Sequence, residues 1–318
     1  MASTSAKFVI GIPTVRRKHD YLLETFDTLL EQIPSAERAR VAIVVFNAEH
    51  EPALHAQCRE LADRHAALIE SGLLTILTNP NGYPELAGDR PASNAAADRT
   101  AAYDHWKTKL LLDAVYLFNF CMDRGEYYIY LEDDVVVADG FWTRLHAWLE
   151  TDLARSDEWV IVSLFSTLRD SGNPRDWPPG SVLMNALPGE FNCSMGLLFR
   201  CRDLRRISDF LARHYDQGPL DWMLGRFLVE TGGCAYYCVP PLVQHNGVIS
   251  SLSGKVQLEF APSFPEPFAP RLKRHCSQLV TLLRFHPGSI MGLIRWRLAL
   301  RARAERMRDV LLGRGRES

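Results

Sequence analysis

Residues 126–137 read EYYIYLEDDVVV. An aromatic and β-branched run ends in three consecutive carboxylates, Glu132, Asp133 and Asp134, and then turns apolar again. This pattern predicts a buried strand with the acidic triplet at its carboxyl end. Unpaired carboxylates are costly to bury, so such a turn needs a cation. In open α/β sheets, ligands bind just outside the carboxyl ends of strands. Hard cations such as Mg²⁺ and Mn²⁺ prefer oxygen ligands and keep positions for substrate phosphates. The triplet therefore reads as a divalent-metal site facing a phosphorylated ligand, with one carboxylate on the metal and a neighbour accepting a ribose hydroxyl. An acidic turn that merely ends a strand is the alternative, and the apolar residues on both sides favour the metal.

The chain upstream supplies a frame for that strand. Residues 8–12 form a short apolar run ended by Pro13, a buried-strand signal. Residues 21–32 carry Leu22, Leu23, Phe26, Leu29 and Leu30 at helical spacing, with Asp20 placed as N-cap. Strands are expected at 41–46 and 73–77, with a helix over 53–68 between them. This β-α-β-α-β alternation predicts a parallel sheet flanked by helices. Residues 79–100 are polar and rich in Gly, Pro, Asn and Ala, and read as a long loop over the ligand cleft. A helix over 101–123 leads into the acidic strand. Downstream, helices are expected at 141–153, 203–215 and 220–230. Strands are expected at 159–165, at 193–200 (which contains Gly196) and at 235–243, the last interrupted by Pro240-Pro241. Residues 169–180, with three prolines and two glycines, read as a surface loop.

Other residues could take part in chemistry. Asp221, in PLDWML, opens a helix beside Trp222. It reads as an N-terminal helix carboxylate or as a general base against an apolar wall. His245 ends a strand-like run and is either structural or a neutral imidazole ligand to a transition metal. Residues 250–255 (SSLSGK), including Ser253 and Lys255, suit phosphate oxygens or form a solvated loop; their spacing is not that of a Walker A motif. Thr14, Arg16 and Arg17 follow the first strand, and Lys107 and Lys109 lie on the helix before the acidic strand. Such cations near strand ends could hold a diphosphate or could be surface charge.

Composition sets the outer bounds. The chain has 318 residues, with 47% hydrophobic and 23% charged residues, as expected of a globular α/β protein with ample core. The net charge of -2 conceals an asymmetry. Residues 271–318 carry twelve Lys and Arg against three Asp and Glu, whereas the rest carries 24 against 35. Three segments follow: an α/β body over 1–260, a proline-rich linker over 261–270 and a basic helical tail over 271–318. The tail is expected to bind an anionic membrane surface, with helical packing on the body or on a dimer partner as the alternative; nucleic acid is not expected. Seven scattered cysteines, an odd number, fit reduced thiols better than a disulfide framework. Cys234 and Cys238 lack a second pair at zinc spacing and read as core thiols.

Taken in order, FVIGIPTVRR, YLLETFDTLL, VAIVVFNAE, WKTK, YYIYLEDDVVV, PLDWML and QHNGVISSLSGKVQ resemble the N-acetylglucosaminyltransferase IV family, glycosyltransferase family 54, over roughly residues 8–260. The resemblance implies a GT-A glycosyltransferase fold, a Rossmann-like mixed sheet flanked by helices. It implies inverting transfer of N-acetylglucosamine from UDP-GlcNAc to a glycan or glycolipid hydroxyl, with Mn²⁺ or Mg²⁺. By the same resemblance Asp134 and His245 would hold the metal, and Asp133 would contact the ribose or donor sugar. Asp221 would be the base, and Gly196 would lie in the loop beneath donor and acceptor. Pro13, Thr14, Arg16, Glu49, Lys109, Glu132, Ser253 and Lys255 are expected around the nucleotide.

The chain starts MASTSAK and runs directly into a strand, with no secretory h-region and no 18-residue apolar span. The expectation is a bacterial-type cytoplasmic enzyme, peripheral at the inner face of a membrane. Two rival classes remain. A sugar nucleotidyltransferase would carry a Gly-rich loop near its N-terminus, and GIPTVRR is not one. A non-catalytic UDP-sugar-binding protein could dispense with Asp221. Use of another UDP-sugar is a further alternative.

Overall fold

The computed structural model describes residues 6–17, 19–79, 95–155, 157–166, 182–186, 191, 193–249, 261, 264–265 and 268–285. The first half winds as β1 (Ala6–Thr14), α1 (Leu22–Gln32), β2 (Val41–Asn47), α2 (Ala56–Arg64), α3 (Ala66–Glu70), β3 (Leu74–Thr78), α4 (Ala95–Cys121) and β4 (Gly125–Leu131). It continues through β5 (Val135–Val137), α5 (Phe141–Glu150), β6 (Trp159–Ser163), β7 (Val182–Ala186) and β8 (Gly196–Arg200). The remaining elements are α6 (Cys201–Arg213), α7 (Leu220–Thr231), β9 (Cys234–Val239), β10 (Val243–His245) and α8 (Phe268–Phe285).

One eight-stranded sheet has the order β3-β2-β1-β4-β8-β6-β9-β7. The first four strands are parallel, and β8 runs antiparallel to β4 and to β6. β4 therefore stands where strand direction reverses. Its two faces feed two cores. Ile129 and Leu131 pack with Phe8, Ile10 and Ile12 beneath α1 and α5, whereas Tyr128 and Tyr130 pack with Val9, Phe118 and Phe199 beneath α4 and α6. Burial on both faces explains why these strands read as continuous apolar runs rather than alternating ones.

A second, two-stranded ribbon positions the site. β5 pairs antiparallel with β10, with His245 opposite Val135. Its apolar side closes a small cluster of Val136, Ala138, Phe165, Cys193, Ala261 and Phe264. The strand expected over 235–243, interrupted at Pro240-Pro241, is two strands: the prolines have no N–H to donate and end β9 at Val239, and β10 starts at Val243.

Two further expectations are corrected, and one strand is added. Asp20 does not cap α1; the cap position is Tyr21, and the Asp20 carboxylate accepts the backbone N–H of Arg17 at 3.3 Å. The helix expected over 53–68 is a 3-10 turn (Pro52–Leu54) followed by α2 and α3, with the His55 side chain accepting from the Cys58 N–H to start α2. β7, unforeseen, pairs with β9 at the sheet edge.

The linker expected over 261–270 ends early, because α8 starts at Phe268. Pro270 lies in its first turn, where a missing N–H costs no helical bond. Arg274 and Thr281 of α8 are buried, and Gln278 Nε2 donates to the Asn246 carbonyl at 3.3 Å, so this part of the basic tail packs on the body. Among the described residues no helix is long and apolar enough to cross a membrane. All seven cysteines are free, and all but Cys234 and Cys276 are buried.

Candidate functional site

The acidic turn follows β4 directly and is buried: Asp133 is 3% and Asp134 1% exposed. Its backbone is clamped from two sides. From α1, the Thr25 hydroxyl lies 2.8 Å from the Asp133 carbonyl and 2.7 Å from the Val135 carbonyl, and accepts the Val135 N–H at 3.1 Å. From beyond β10, the N–H groups of Asn246 and Gly247 donate to the Asp134 carbonyl at 2.8 and 3.1 Å. The Tyr21 hydroxyl accepts the N–H groups of Val248 and Ile249, and Asn246 Nδ2 donates to Glu24 at 2.6 Å. Helix α1 therefore fixes both sides of the site.

The side chains divide in three directions. Glu132 accepts the Ser194 hydroxyl at 2.6 Å. Asp133 Oδ2 accepts the Thr14 hydroxyl at 2.5 Å. Asp134 Oδ2 accepts Arg17 Nη1 at 2.6 Å and lies 3.4 Å from His245 Nε2. Arg17 Nη2 bonds Asp133 Oδ1, so one guanidinium bridges the two carboxylates. Burial pushes Glu132 up to about 7, with the Asp134 charge adding to it. Burial likewise raises Asp133, to about 6, with Arg17 opposing and the Asp134 charge reinforcing. Burial acts on Asp134 too, but Arg17 and then His245 outweigh it and hold this carboxyl below its usual range. Asp134 is thus the member of the triplet whose ionised form its neighbours favour most.

Asp134 Oδ1 is buried and has no hydrogen-bond partner, although its other oxygen is shared by Arg17 and His245. Gly247 has its α-carbon against this carboxylate, where a Cβ would overlap Oδ2. An unpartnered carboxylate oxygen beside an imidazole is a donor set that suits Mn²⁺ or Mg²⁺ completed by substrate phosphates. Asp134 and His245 are the residues that would hold it. Among the described residues no cluster of three or more His, Cys, Asp or Glu side chains is arranged as a closed metal site.

Four of the residues expected around the nucleotide, Pro13, Thr14, Arg16 and Glu49, lie at or just beyond the carboxyl ends of β1 and β2. Pro13 and Thr14 end β1, in register with Phe46 and Asn47. Glu49 Oε1 accepts the Arg16 backbone N–H at 2.7 Å, joining the loops after the two strands. Thr14 Oγ1 is also 3.1 Å from His55 Nε2, and His55 Nδ1 accepts the Cys58 N–H. That acceptor role places the ring proton on Nε2, so the chain of donors runs from His55 to Thr14 to Asp133. Burial lowers the His55 pKa and keeps the ring neutral.

Other expected positions are less direct. The ammonium of Lys109 lies 2.7 Å from Asp113, a buried carboxylate on the same helix. Gly196 opens β8 opposite Leu131, where a Cβ would lie 3.1 Å from Val243 Cγ2; its smallness serves packing between the sheet and β10. Asp221 sits in the first turn of α7, and its Oδ1 accepts the Trp222 N–H at 2.9 Å. Burial pushes the Cys193 thiol up to about 12, and the charges of Glu132 and Asp221 both add to the shift. Ser253 and Lys255 lie outside the described residues.

Sequence reading saw Arg17 only as a nearby cation and missed His55, Thr25 and Gly247. Arg17 carried a signal, being one of two arginines directly after a strand end. The other three become visible only through partners distant in the chain.

The mixed sheet, with its acidic turn at the carboxyl end of the strand where direction reverses, is the GT-A glycosyltransferase fold. The same architecture is seen in GalNAc-T7 solved with UDP, GalNAc and Mn²⁺, with a TM-score of 0.51 and 11% identity over 80% of this chain and 46% of that one. The chain belongs to the family defined by the MGAT4 conserved region, whose model matches residues 1–173. It is 28% identical over 306 residues to the alpha-1,3-mannosyl-glycoprotein 4-beta-N-acetylglucosaminyltransferase A of Rattus norvegicus, covering 90% of this chain and 52% of the relative. It is also 28% identical over 275 residues to the B enzyme of Danio rerio, covering 80% and 44%. The chain spans about half the length of these curated relatives.

Proposed function

We propose that this chain is an inverting, divalent-metal-dependent glycosyltransferase that moves N-acetylglucosamine from UDP-GlcNAc to a hydroxyl of a glycan or glycolipid. The observation that carries this reading is the buried Asp134 carboxylate at the carboxyl end of β4, whose Oδ2 lies 3.4 Å from His245 Nε2 while its Oδ1 has no hydrogen-bond partner. The relatives' names support the sugar and the transfer. When bound, Mn²⁺ or Mg²⁺ supplies charge neutralisation to the departing nucleoside diphosphate. Asp133, held by Thr14, is placed to accept a ribose or donor-sugar hydroxyl. Asp221 takes the proton of the acceptor hydroxyl as its oxygen bonds to the anomeric carbon. The bond from that carbon to the UDP oxygen breaks on the opposite face, UDP leaves with the electron pair, and configuration inverts. Trp222, 66% exposed and next to Asp221, offers an apolar face against which an acceptor ring can rest.

Residues 271–318 carry the charge asymmetry. In this reading their arginines draw the enzyme to the anionic inner face of a membrane from the cytoplasm, where a lipid-linked acceptor would be met.

The deciding experiment incubates the protein with UDP-GlcNAc, Mn²⁺ and a panel of glycan and glycolipid acceptors, with and without EDTA. Sugar transfer that needs the metal supports the proposal. Pyrophosphate chemistry would point to a nucleotidyltransferase, and binding without transfer to a non-catalytic UDP-sugar-binding protein; either overturns it. Transfer from another UDP-sugar alone would correct the donor.

A further inference from the structure

Arg17 stands where the donor-site reading needs a cation that is not part of the protein. It lies in the loop between β1 and α1, outside any helix or strand, with its side chain 11% exposed. Its fork does not close on one carboxylate, as a bidentate structural pair would. Nη1 goes to Asp134 and Nη2 to Asp133, so a single planar group neutralises both members of a like-charged buried pair. Removing two carboxylates from water without such a partner costs several kcal/mol per ion. The guanidinium is nonetheless incompletely satisfied: its Nε–H is buried and has no acceptor. A buried donor on a charged group left without a partner is unfavourable, and an anionic oxygen would satisfy it. On the other side of the same contact, Asp134 Oδ1 also lacks a partner. Arg17 and Asp134 therefore each have bonding capacity unused while they hold one another. An anion for the first and a cation for the second would use it.

We propose that Arg17 is an exchangeable counter-ion: it holds Asp133 and Asp134 in the free enzyme, releases Asp134 when a divalent cation enters with a nucleoside diphosphate, and turns its guanidinium to the diphosphate. Resting on the donor-site reading above, this makes metal and nucleotide bind cooperatively, because each removes the other's competitor. The metal alone must displace an arginine that then has no anion to meet. The nucleotide alone finds Arg17 engaged.

The test measures Mn²⁺ alone, UDP alone and each in the presence of the other by titration calorimetry, with free Mn²⁺ counted independently by electron paramagnetic resonance. The full chain, Arg17→Met and Arg17→Lys are compared. In the unaltered chain, UDP should tighten Mn²⁺ by a factor within the usual range of coupling, about 5–150-fold. Arg17→Met should bind Mn²⁺ alone about tenfold more tightly, bind UDP at saturating Mn²⁺ about tenfold more weakly, and lose most of the coupling. Arg17→Lys keeps the charge but cannot span both carboxylates, and should move in the same direction by less. It decides the matter if Arg17→Met fails to fold. Variants that bind Mn²⁺ alone no more tightly than the unaltered chain, or UDP no more weakly, overturn the proposal while leaving the donor site standing. An unaltered chain that binds neither Mn²⁺ nor UDP overturns both.

Discussion

Gly247 presses its α-carbon against the carboxylate of Asp134: a Cβ at this position would overlap Oδ2 and lie 2.8 Å from Cγ. The obstacle is a buried, twice-bonded carboxylate rather than a flexible chain end, so it cannot yield cheaply. Gly247→Ala should therefore displace Asp134 from His245 rather than unfold the sheet. Changes one step behind a metal ligand commonly cost about 10–100-fold in metal affinity. The expected result is a loss of that size in Mn²⁺ affinity at saturating UDP, with the circular dichroism spectrum unchanged. Retention of full Mn²⁺ affinity would show that Asp134 is not a ligand.

The His55–Thr14–Asp133 chain makes a stability prediction. Thr14→Val keeps the shape and deletes the hydroxyl, leaving the His55 Nε2 proton and Asp133 Oδ2 each short of a buried partner. Unsatisfied buried polar groups cost about 1–3 kcal/mol. Urea unfolding should show a midpoint lowered by a loss in that range, with an unchanged slope. A variant as stable as the parent would mean the chain of donors adds nothing.

The same histidine gives a pH dependence with a definite sign. Burial lowers the His55 pKa below its ordinary 6.5, so the folded state keeps the ring neutral while the unfolded state takes up a proton. Its contribution is complete above pH 6.5 and is lost as pH falls below that value. Glu132 and Asp133, raised by burial, slope the other way, so the comparison must be a difference. The stability gap between the parent and His55→Gln should be widest near pH 7.5 and narrow towards pH 5.5. A gap constant over that range would contradict a buried neutral imidazole.

How far the sequence could carry this reading depended on whether a residue's partner was near in the chain. The parallel half of the sheet was legible because β1, β2 and β4 are buried on both faces and show as unbroken apolar runs. The triplet was legible because carboxylates directly after such a run have nowhere to go but a buried turn. His55 was not, because its function comes from Thr14, 41 residues upstream. Nor could sequence tell which of Arg16 and Arg17 turns inward: the backbone of Arg16 goes to Glu49 and the side chain of Arg17 to the carboxylates. The prolines at 240 and 241 announced a strand end, but not that the chain beyond it would form a second ribbon with β5.

The basic tail divides into a part that packs and a part whose charge is read from sequence. Helix α8 contacts the site loop through Gln278, so cutting the chain before it would disturb Asn246 as well as remove charge. The cleaner change is Arg295, Arg297, Arg301 and Arg303 to Gln together. Each basic residue near an anionic leaflet contributes about 1 kcal/mol. The quadruple variant should pellet far less with phosphatidylserine vesicles than the parent, and vesicles of neutral lipid should pellet neither. Equal pelleting of both proteins would remove the membrane from the proposed function.

The proposed chemistry rests on Asp221. It occupies the first turn of α7, and its Oδ1 accepts the Trp222 N–H. Asp221→Asn preserves the shape and the hydrogen-bond acceptor but cannot take a proton. Losing a general base costs about 10²–10⁴ in rate. The expected outcome is a fall of that size in kcat, with Mn²⁺-dependent UDP affinity unchanged, because Asp133, Asp134 and His245 are untouched. Trp222→Ala should instead raise KM for the acceptor and leave UDP affinity alone. A folded Asp221→Asn protein that turns over within about threefold of the parent would assign the base to another residue.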